Sequence, residues 1–442
     1  MERWHHVAVT GGGIAGLTAA IALAGHARRV TVVERDALAG DPGFRPGVPQ
    51  SRHLHSLMGA GQRALDELLP GFTDELYAAG AVPLRTPYDH VWLSPAGWCH
   101  RFAPSRTVPS ASRELVEWVV RRRAESLPGI RIRDRLEVTG LRADGAGITG
   151  VAVVRRDGGA TEEIAADLVV DTSGRRSRAP EWLASLGCDD AETTLVDSRA
   201  GYASRYYAMP ADFGDAWRVI SIQPGPSQPL RGGALVPVEG GRWLVSLYGY
   251  LDDHPPTDEE GFLAFAASLR HPVLYETIRD AEPLGPIHGF RHMANERRHY
   301  EALAAWPQGL LVVGDATCAL NPVYAQGMSV AAMSAHRLRD LLHEGVDDCA
   351  TLQKELAAGN DRAWHVAVGA DLAYLGEAPA DEESRRGGER MRRLLELAMV
   401  DAEVNSAFFD VMMMLAEPDA LDAPELTARL AQGPARPPAA RP

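Results

Sequence analysis

The chain opens with two short apolar runs on either side of a glycine-rich turn. Residues 6–10 and 30–33 are rich in valine and predict buried strands, whereas residues 17–23 are rich in alanine and leucine and predict a helix. A strand, a helix and a second strand within about 30 residues are typical of a βαβ unit. The pattern therefore predicts a parallel sheet in a Rossmann-like fold of the α/β class.

Downstream, strand-like and helix-like stretches alternate without an internal repeat. Residues 309–313 form another fully apolar strand of the parallel-sheet type. After Tyr324 the pattern is helical to about Leu430, and the Pro-, Ala- and Arg-rich residues 433–442 are expected to be a disordered tail. The other predicted elements are helices over 51–69 and 112–127, a hairpin over 88–102, a β-meander over 130–171 and several strands over 198–250.

The turn after the first strand matches the pattern GxGxxG. It is formed by Gly11, Gly13, Ile14, Ala15 and Gly16. The first glycine permits a tight turn, the second lets a pyrophosphate approach the backbone, and the third lets the helix pack closely on the strand. The amides at the start of the helix face the phosphates. Because the motif lies between a strand and a helix, it predicts a dinucleotide-binding site.

An acid at the end of the second strand completes this signature. Glu34 follows Gly16 by eighteen residues, where a carboxylate accepts hydrogen bonds from an adenosine ribose and disfavours a 2′-phosphate. The glycine pattern recurs at residues 145–150, but no helix follows it there. We interpret the second copy as a hairpin turn, so the sequence predicts no separate NAD(P)H-binding domain.

Composition and charge exclude several classes of protein. The 442 residues include 45 Lys and Arg against 59 Asp and Glu, and the resulting net charge of −14 disfavours binding to nucleic acid. The four cysteines are far apart and no apolar run is long enough to cross a bilayer, so we expect neither disulfides nor a membrane span. The N-terminus enters a strand directly, which favours a cytoplasmic protein without a signal peptide. His53 and His55 are a poor metal pair, and no metal site is predicted.

A second motif identifies the dinucleotide by resemblance. Residues 311–329 contain LVVGDA, then NP, then QGMS, and they resemble the second FAD motif of flavin monooxygenases of the para-hydroxybenzoate hydroxylase type. The resemblance implies tightly bound, non-covalent FAD, with Asp315 on its ribityl chain. It also implies that Pro322 lies beside the flavin ring and that the amides of Gly327 and Met328 face its pyrimidine side.

Two further stretches narrow the resemblance to one branch of that family. Residues 169–177 carry Asp-Thr-Ser-Gly in place of the usual Asp-Gly, as in the branch that holds geranylgeranyl reductases, tryptophan halogenases and polyene epoxidases. Residues 45–55 closely resemble the loop after the first βαβ unit in the epoxidases of polyether-antibiotic pathways. The resemblance implies that Arg35, Arg45 and Arg113 help to bind the FAD.

The resemblance implies an FAD-dependent monooxygenase in which NAD(P)H reduces the flavin, O2 adds to it, and a flavin hydroperoxide delivers one oxygen atom. An isolated alkene is a nucleophile toward that oxygen, so epoxidation needs no general base, metal or covalent nucleophile. No motif for any of these is visible in the sequence. The favoured interpretation is an epoxidase that acts on alkenes of a linear polyketide or isoprenoid in antibiotic biosynthesis, with the small apolar substrate free or bound to a carrier protein.

Several alternatives remain open. Aromatic hydroxylation by the same flavin chemistry is the strongest, and it would benefit from a group that helps to deprotonate a ring hydroxyl. A prenyl-chain saturase and a redox-silent FAD scaffold, such as a cyclase, fit the same cofactor motifs. A flavin-dependent halogenase is disfavoured, because it needs a Trp-x-Trp-x-Ile-Pro stretch and an active-site lysine, and the only lysine, Lys354, lies in a late helix.

Aromatic and methionine residues are the candidates for an apolar substrate pocket. We expect an FAD-binding domain built from residues 1–80, 106–180 and 286–340, a β-rich substrate domain from 81–105 and 181–285, and a helical region from 341–432. The candidate pocket residues are Tyr202, Tyr206, Trp243, Tyr248, Tyr324 and Met412.

Overall fold

The computed structural model describes residues 2–145, 147–211, 213–214, 217–225, 229–376 and 382–433. The strands in these residues are β1 (Trp4–Thr10), β2 (Ala27–Val33), β3 (Val82–Thr86), β4 (His90–Ser94), β5 (Gly97–Trp98), β6 (Arg106–Ser110), β7 (Ile130–Arg133), β8 (Leu136–Asp144), β9 (Gly147–Arg155), β10 (Glu162–Ala165), β11 (Leu168–Asp171), β12 (Thr193–Val196), β13 (Gly201–Ala208), β14 (Val219–Ile222), β15 (Arg231–Val238), β16 (Arg242–Gly249), β17 (His288–Phe290), β18 (Asn295–Arg298), β19 (Leu310–Val312) and β20 (Cys318–Ala319). The α-helices are α1 (Ile14–Leu23), α2 (Gly59–Leu68), α3 (Phe72–Ala78), α4 (Arg113–Ser126), α5 (Ala179–Ser185), α6 (Glu259–Ala267), α7 (Val273–Ile278), α8 (Gly327–Glu344), α9 (Cys349–Ala358), α10 (Asp361–Leu375), α11 (Glu382–Ala398), α12 (Ala402–Met412) and α13 (Pro424–Gln432).

The first of the two largest sheets is parallel and has five strands. Its order is β19-β11-β1-β2-β7, and every neighbouring pair is parallel. Val7 and Val9 of β1 pack with helices α1, α4 and α8, whereas Ala8 between them packs with the three-stranded sheet β10-β9-β8. Both faces of β1 are therefore buried, which explains its continuous apolar sequence. The predicted βαβ unit and the α/β fold class are confirmed.

A second sheet has seven strands in the order β17-β13-β16-β15-β14-β4-β5. Side chains on its central strands alternate between two faces. Tyr207 and Trp243 pack with α6 and α7 on one face, whereas the paired residues Ser204 and Ser246 lie on the other face. Strand β17 belongs to this sheet, although residues 286–340 were expected in the FAD-binding part.

The chain after residue 324 is mostly helical, as predicted, within the residues that the structure describes. Helices α8 and α2 pack closely where Gly61 faces Ser329. A Cβ on Gly61 would lie only 2.6 Å from the Cα of Ser329. Helices α11, α12 and α13 pack together and against Trp92 and Phe102. Residues 434–442, most of the expected tail, lie outside the described residues. No helix in the described ranges is long and apolar enough to cross a membrane.

Two predicted elements differ from the structure. The helix expected over 51–69 begins at Gly59, because the preceding residues instead form a short 3-10 turn and then bond to the seven-stranded sheet and to α8. The meander expected over 130–171 is limited to β8, β9 and β10, since β7 and β11 join the parallel sheet. Residues 145–150 lie at the β8–β9 hairpin, although Ala146 itself is outside the described residues.

Candidate functional site

The glycine turn has a geometry that side chains would disrupt. Gly11 has a φ of +103°, and a Cβ there would lie 2.8 Å from the carbonyl oxygen of Thr172. A Cβ on Gly16 would lie 1.9 Å from the carbonyl oxygen of Gly11. Gly13 differs, because its Cβ would meet only the guanidinium groups of Arg45 and Arg113, at 3.7 and 4.0 Å. The first turn of α1, where Ile14 and Ala15 lie, therefore faces two cations across a surface without side chains.

The Asp-Thr-Ser-Gly stretch supports this turn from the neighbouring strand. The Thr172 hydroxyl donates to the carbonyl oxygens of Thr10 and Gly11, at 2.7 and 3.1 Å. Asp171 is fully buried and accepts hydrogen bonds from the hydroxyls of Thr10 and Ser177. The variant motif therefore holds two parallel strands together beneath the glycines.

A network of charges surrounds the glycine turn. Glu34 accepts from the amide of Gly12 at 2.7 Å and pairs with Arg45 at 3.0 Å. Arg45 also pairs with Asp36 and with Glu117, and Glu117 in turn pairs with Arg113. These carboxylates raise the pKa of Arg45 against the opposing effect of burial. Glu34, Arg45 and Arg113, three of the residues expected to bind FAD, are thus part of one buried network.

Asp315 lies where β19 ends, in a short 3-10 turn. Its carboxylate makes no hydrogen bond or ion pair with any residue in the described ranges. Burial raises the pKa of Asp315, and the charges of Arg175 and Arg113 oppose that rise. An acceptor held in this way fits a ligand that brings its own hydroxyl donors.

The loop after β20 leads directly into helix α8. Asn321 caps a 3-10 turn over Pro322–Tyr324, and Ala325 then adopts a left-handed φ of +54°. Gly327 begins α8, and a Cβ on it would meet nothing within 4 Å. The adjacent Met328 is buried with the apolar face of α1. The loop thus presents Pro322 and a helix N-terminus next to the turn that holds Asp315.

His53 joins the segment before α2 to the seven-stranded sheet. Its Nδ1 lies 2.8 Å from the hydroxyl of Ser204, which lies 2.5 Å from that of Ser246. Burial is the main cause that lowers the pKa of His53 to about 3, and the neighbouring side chains of His55, His288 and Arg52 contribute. His53 is therefore a neutral, structural hydrogen-bonding group in this position.

Aromatic side chains meet on the same face of the sheet as Ser204 and Ser246. Tyr202 stacks on Phe290 with ring centroids 5.5 Å apart, and Tyr250 packs on Tyr374 of α10 at 4.2 Å. Burial raises the pKa of each of these tyrosines above its ordinary value. We call this set the aromatic cluster, and its members are Ala200, Tyr202, Leu230, Tyr248, Tyr250, Leu251, Phe290, Met293, Val323 and Tyr374.

The structure brings together only some of the expected pocket residues. Tyr202 and Tyr248 are in the aromatic cluster, whereas Tyr206 lies farther along β13 beneath the guanidinium of Arg242. Trp243 is on the opposite face of the sheet, because it is offset by an odd number of positions from Tyr248. Met412 is 41% exposed at the end of α12 and does not contribute to the cluster. Arg35, which was expected to bind FAD, donates to the carbonyl oxygen of Gly47 at 3.4 Å and makes no other hydrogen bond or ion pair within the described residues.

Asp371 is the main buried polar residue that the sequence analysis missed. It accepts from the hydroxyl of Tyr324 and from the side-chain amides of Asn295 and Asn321. One signal was available in the sequence. Ala363, Ala367 and Asp371 are four residues apart on the buried face of α10, where a carboxylate must have partners.

These features fit FAD. The glycine cradle with its two arginines suits a pyrophosphate, and the carboxylate of Asp315 has no acceptor role within the described residues. The Oε1 of Gln326 is also buried without a partner there, next to the start of α8. No set of three or more His, Cys, Asp or Glu side chains in the described ranges is arranged to hold a metal ion.

Comparisons with known proteins agree with this fit. The family described as FAD binding domain matches residues 5–354. A Mycobacterium tuberculosis protein, Rv3254, is 34% identical over 76% of this chain and 73% of its own length. A kynurenine 3-monooxygenase of Salinispora tropica is 27% identical over 83% of this chain and 76% of its own length. The solved structure of a flavoprotein/dehydrogenase from Cytophaga hutchinsonii has a TM-score of 0.67 at 17% identity, covering 96% of this chain and 95% of that one.

The fold and the site therefore define a flavoprotein oxidoreductase of the monooxygenase class. The chain belongs to the FAD binding domain family, with FAD as its cofactor.

Proposed function

We propose that this FAD-dependent monooxygenase epoxidises one or more alkenes of a linear polyketide or isoprenoid. The aromatic cluster is the observation that supports this proposal. Its members are apolar and aromatic side chains, a composition that suits contact with a hydrocarbon chain, whose burial contributes about 25 cal/mol per Å². The nearest buried acid and base, Asp371 and His53, are already hydrogen-bonded within the protein. Epoxidation needs neither of them to accept a proton.

The residues of this chain would bind the cofactor and orient the substrate. FAD, when bound, would activate O2, which supplies the transferred oxygen atom. The glycine turn with Arg45 and Arg113 would hold the pyrophosphate, and Asp315 would hold the ribityl hydroxyls. Pro322 and the first residues of α8 would lie at the ring. The aromatic cluster would orient the alkene and exclude water.

Aromatic hydroxylation is the second candidate. The similarity to kynurenine 3-monooxygenases favours it. The Tyr324 hydroxyl also donates to the buried carboxylate of Asp371 at 2.6 Å, an arrangement suited to moving a proton away from a phenol. Lys354, the only lysine, is exposed on α9 and gives no support to a halogenase.

The division into an FAD-binding part, a substrate part and a C-terminal helical region stays part of the proposal, as do a cytoplasmic location and substrate delivery either free or on a carrier protein. The proposed substrate part includes strands β13 and β16, whose Tyr202 and Tyr248 belong to the aromatic cluster.

A matched substrate panel under 18O2 tests the reaction. We would measure NAD(P)H consumption and product mass with a linear polyene, its saturated analogue and a phenol of similar size. An epoxidase accelerates NAD(P)H consumption only with the polyene, and the product gains one labelled oxygen atom.

Each other outcome replaces the proposal with a named alternative. A labelled product from the phenol alone would establish the hydroxylase. A polyene that gains two hydrogen atoms and no oxygen would establish a saturase. A protein that binds FAD but consumes no additional NAD(P)H with any compound would be a redox-silent scaffold.

A further inference from the structure

Helix α10 inserts a carboxylate behind the loop that contains Pro322. Asp371 is fully buried. Its oxygens accept from the side-chain amide of Asn295 at 2.7 Å, from that of Asn321 at 3.0 and 3.1 Å, and from the hydroxyl of Tyr324 at 2.6 Å. These donors come from β18 and from both sides of Pro322. A single side chain therefore joins three segments of the chain at this loop.

The loop lies at the junction between the two halves of the site. It follows the turn that holds Asp315, and its Val323 packs in the aromatic cluster. It then continues into Gly327 at the start of α8. A cofactor that extended from the glycine turn past Asp315 would meet the aromatic cluster at this loop. The position of the loop therefore decides where the reacting end of the cofactor lies.

A second hydrogen bond makes the loop depend further on its surroundings. The backbone amide of Asn321 donates to the side-chain oxygen of Asn295 at 2.7 Å, while the side-chain nitrogen of Asn295 donates to Asp371. The orientation of both asparagines is therefore set by the one carboxylate. The donors of Asn295, Asn321 and Tyr324 require that both side-chain oxygens at position 371 accept hydrogen bonds, and only a carboxylate offers two such oxygens.

The helix that supplies this carboxylate lies beyond the matched family region, which ends at residue 354. Tyr374, three residues after Asp371 and so on the same side of α10, packs on Tyr250. Helix α10 thus contacts both the loop and the aromatic cluster.

We propose that Asp371 is a positioning residue for FAD that acts through Asn321 and Tyr324 on the Pro322 loop. An amide at this position has one acceptor oxygen and two N–H donors, so Asp371→Asn preserves volume but leaves buried donors without an acceptor. In this variant the Pro322 loop should adopt several conformations in the apoprotein, and FAD must order the loop on binding. This inference rests on the assignment of FAD to the site and does not depend on the substrate.

The experiment compares wild type and Asp371→Asn in three readouts: the FAD dissociation constant from fluorescence on reconstitution, the flavin reduction potential, and the fine structure of the flavin absorbance band. We expect the dissociation constant to rise about tenfold, since ordering the loop opposes binding. We also expect a shifted reduction potential and a less resolved band, because the surroundings of the ring change.

Asn405→Ala is the matched control. Asn405 is a buried residue of α12 whose side-chain amide donates to the carbonyl oxygen of Ala398 at 2.8 Å. Neither of these residues belongs to the Pro322 loop. Its loss should lower the melting temperature of the apoprotein while the FAD dissociation constant and the reduction potential stay at the wild-type values.

Tyr324→Phe provides a milder variant in case Asp371→Asn does not fold. It removes one hydrogen bond, and we expect about a threefold rise in the dissociation constant. A folded variant of either kind with an unchanged dissociation constant and potential would overturn the proposal, even if its apoprotein melted at a lower temperature. Neither readout requires turnover, so an error in the substrate assignment leaves this result unaffected.

Discussion

The glycine turn and the aromatic cluster are built in opposite ways. The turn is one continuous stretch of the chain. The positive φ of Gly11 disfavours a side chain there, and a Cβ on Gly16 would lie 1.9 Å from the carbonyl oxygen of Gly11. The aromatic cluster draws its side chains from β13, β16 and β17, the Pro322 loop and α10, which are far apart in the chain. The glycine turn thus depends on the absence of side chains, whereas the aromatic cluster depends on which side chains are present. The predictions below test this difference.

Gly13→Val should have the largest effect. The valine would fill the space in front of Arg45 and Arg113 without striking the backbone, so the protein should fold but lose about 3 kcal/mol or more of FAD binding. The ratio of flavin to protein absorbance measures this, and the preparation should be nearly colourless. Gly25→Val is the control, because a Cβ there meets nothing within 4 Å. A yellow, stoichiometric Gly13→Val protein would show that this turn does not bind the cofactor.

Asp315→Ala should weaken FAD binding by about 2 kcal/mol, since a charged acceptor of hydrogen bonds is lost. The apoprotein should be no less stable, because the half-buried carboxylate makes no hydrogen bond to the described residues and its desolvation raises its pKa. Titration with FAD and thermal unfolding of the apoprotein separate the two effects. Asp315→Asn, which keeps an acceptor oxygen, should bind with intermediate affinity. Equal affinity in all three proteins would refute the ribityl role.

His53→Gln should reduce the pH dependence of stability. Wild-type His53 has a pKa lowered to about 3 by burial, so between about pH 6.5 and that value the unfolded state binds a proton that the folded state does not. Stability therefore falls on acidification, by up to about 1.4 kcal/mol per pH unit from this residue. Urea unfolding of the FAD-saturated protein at about pH 7.5 and pH 5 measures the slope.

The glutamine keeps a donor and an acceptor but does not titrate in this range. Its slope should be smaller than that of wild type without vanishing, since burial also lowers the pKa of His55 to about 3 and that of His90 to about 4. Identical slopes would mean that His53 is protonated in the folded protein.

Tyr374→Ala should have the smallest effect, about 1 kcal/mol from the lost packing on Tyr250. We expect KM for the best substrate to rise several-fold while flavin content is unchanged. Tyr275→Ala is the control, because Tyr275 packs on the opposite side of the seven-stranded sheet and should alter stability only. If KM were equal in wild type and Tyr374→Ala, the cluster would not face the substrate.

The same contrast explains how much the sequence alone could predict. The βαβ unit and the strand before Gly314 were predictable, because backbone requirements there select residue types at short, regular spacing. The loop before α2 was predicted as helix, since its apolar spacing is helical and its bonds to Ser204, Ser246 and Ser329 are long-range.

The aromatic cluster was only partly predictable for a related reason. Alternation along β16 separates Trp243 from Tyr248, but the sequence does not say which face of the strand packs on α6 and α7. Asp371 was missed because its partners are about 50 to 76 residues away in the chain.

The separation of the two faces of the seven-stranded sheet has a consequence for how this enzyme can change over evolution. On the proposed assignment, substitutions at Tyr202 or Tyr248 alter the wall of the substrate site, whereas the hydrophobic core around Trp243 lies on the opposite face of the sheet. Substrate preference at Tyr202 and Tyr248 could therefore change while the core around Trp243 stays the same. A directed-evolution library limited to Tyr202 and Tyr248 would leave in place both the core around Trp243 and the serines that hold His53.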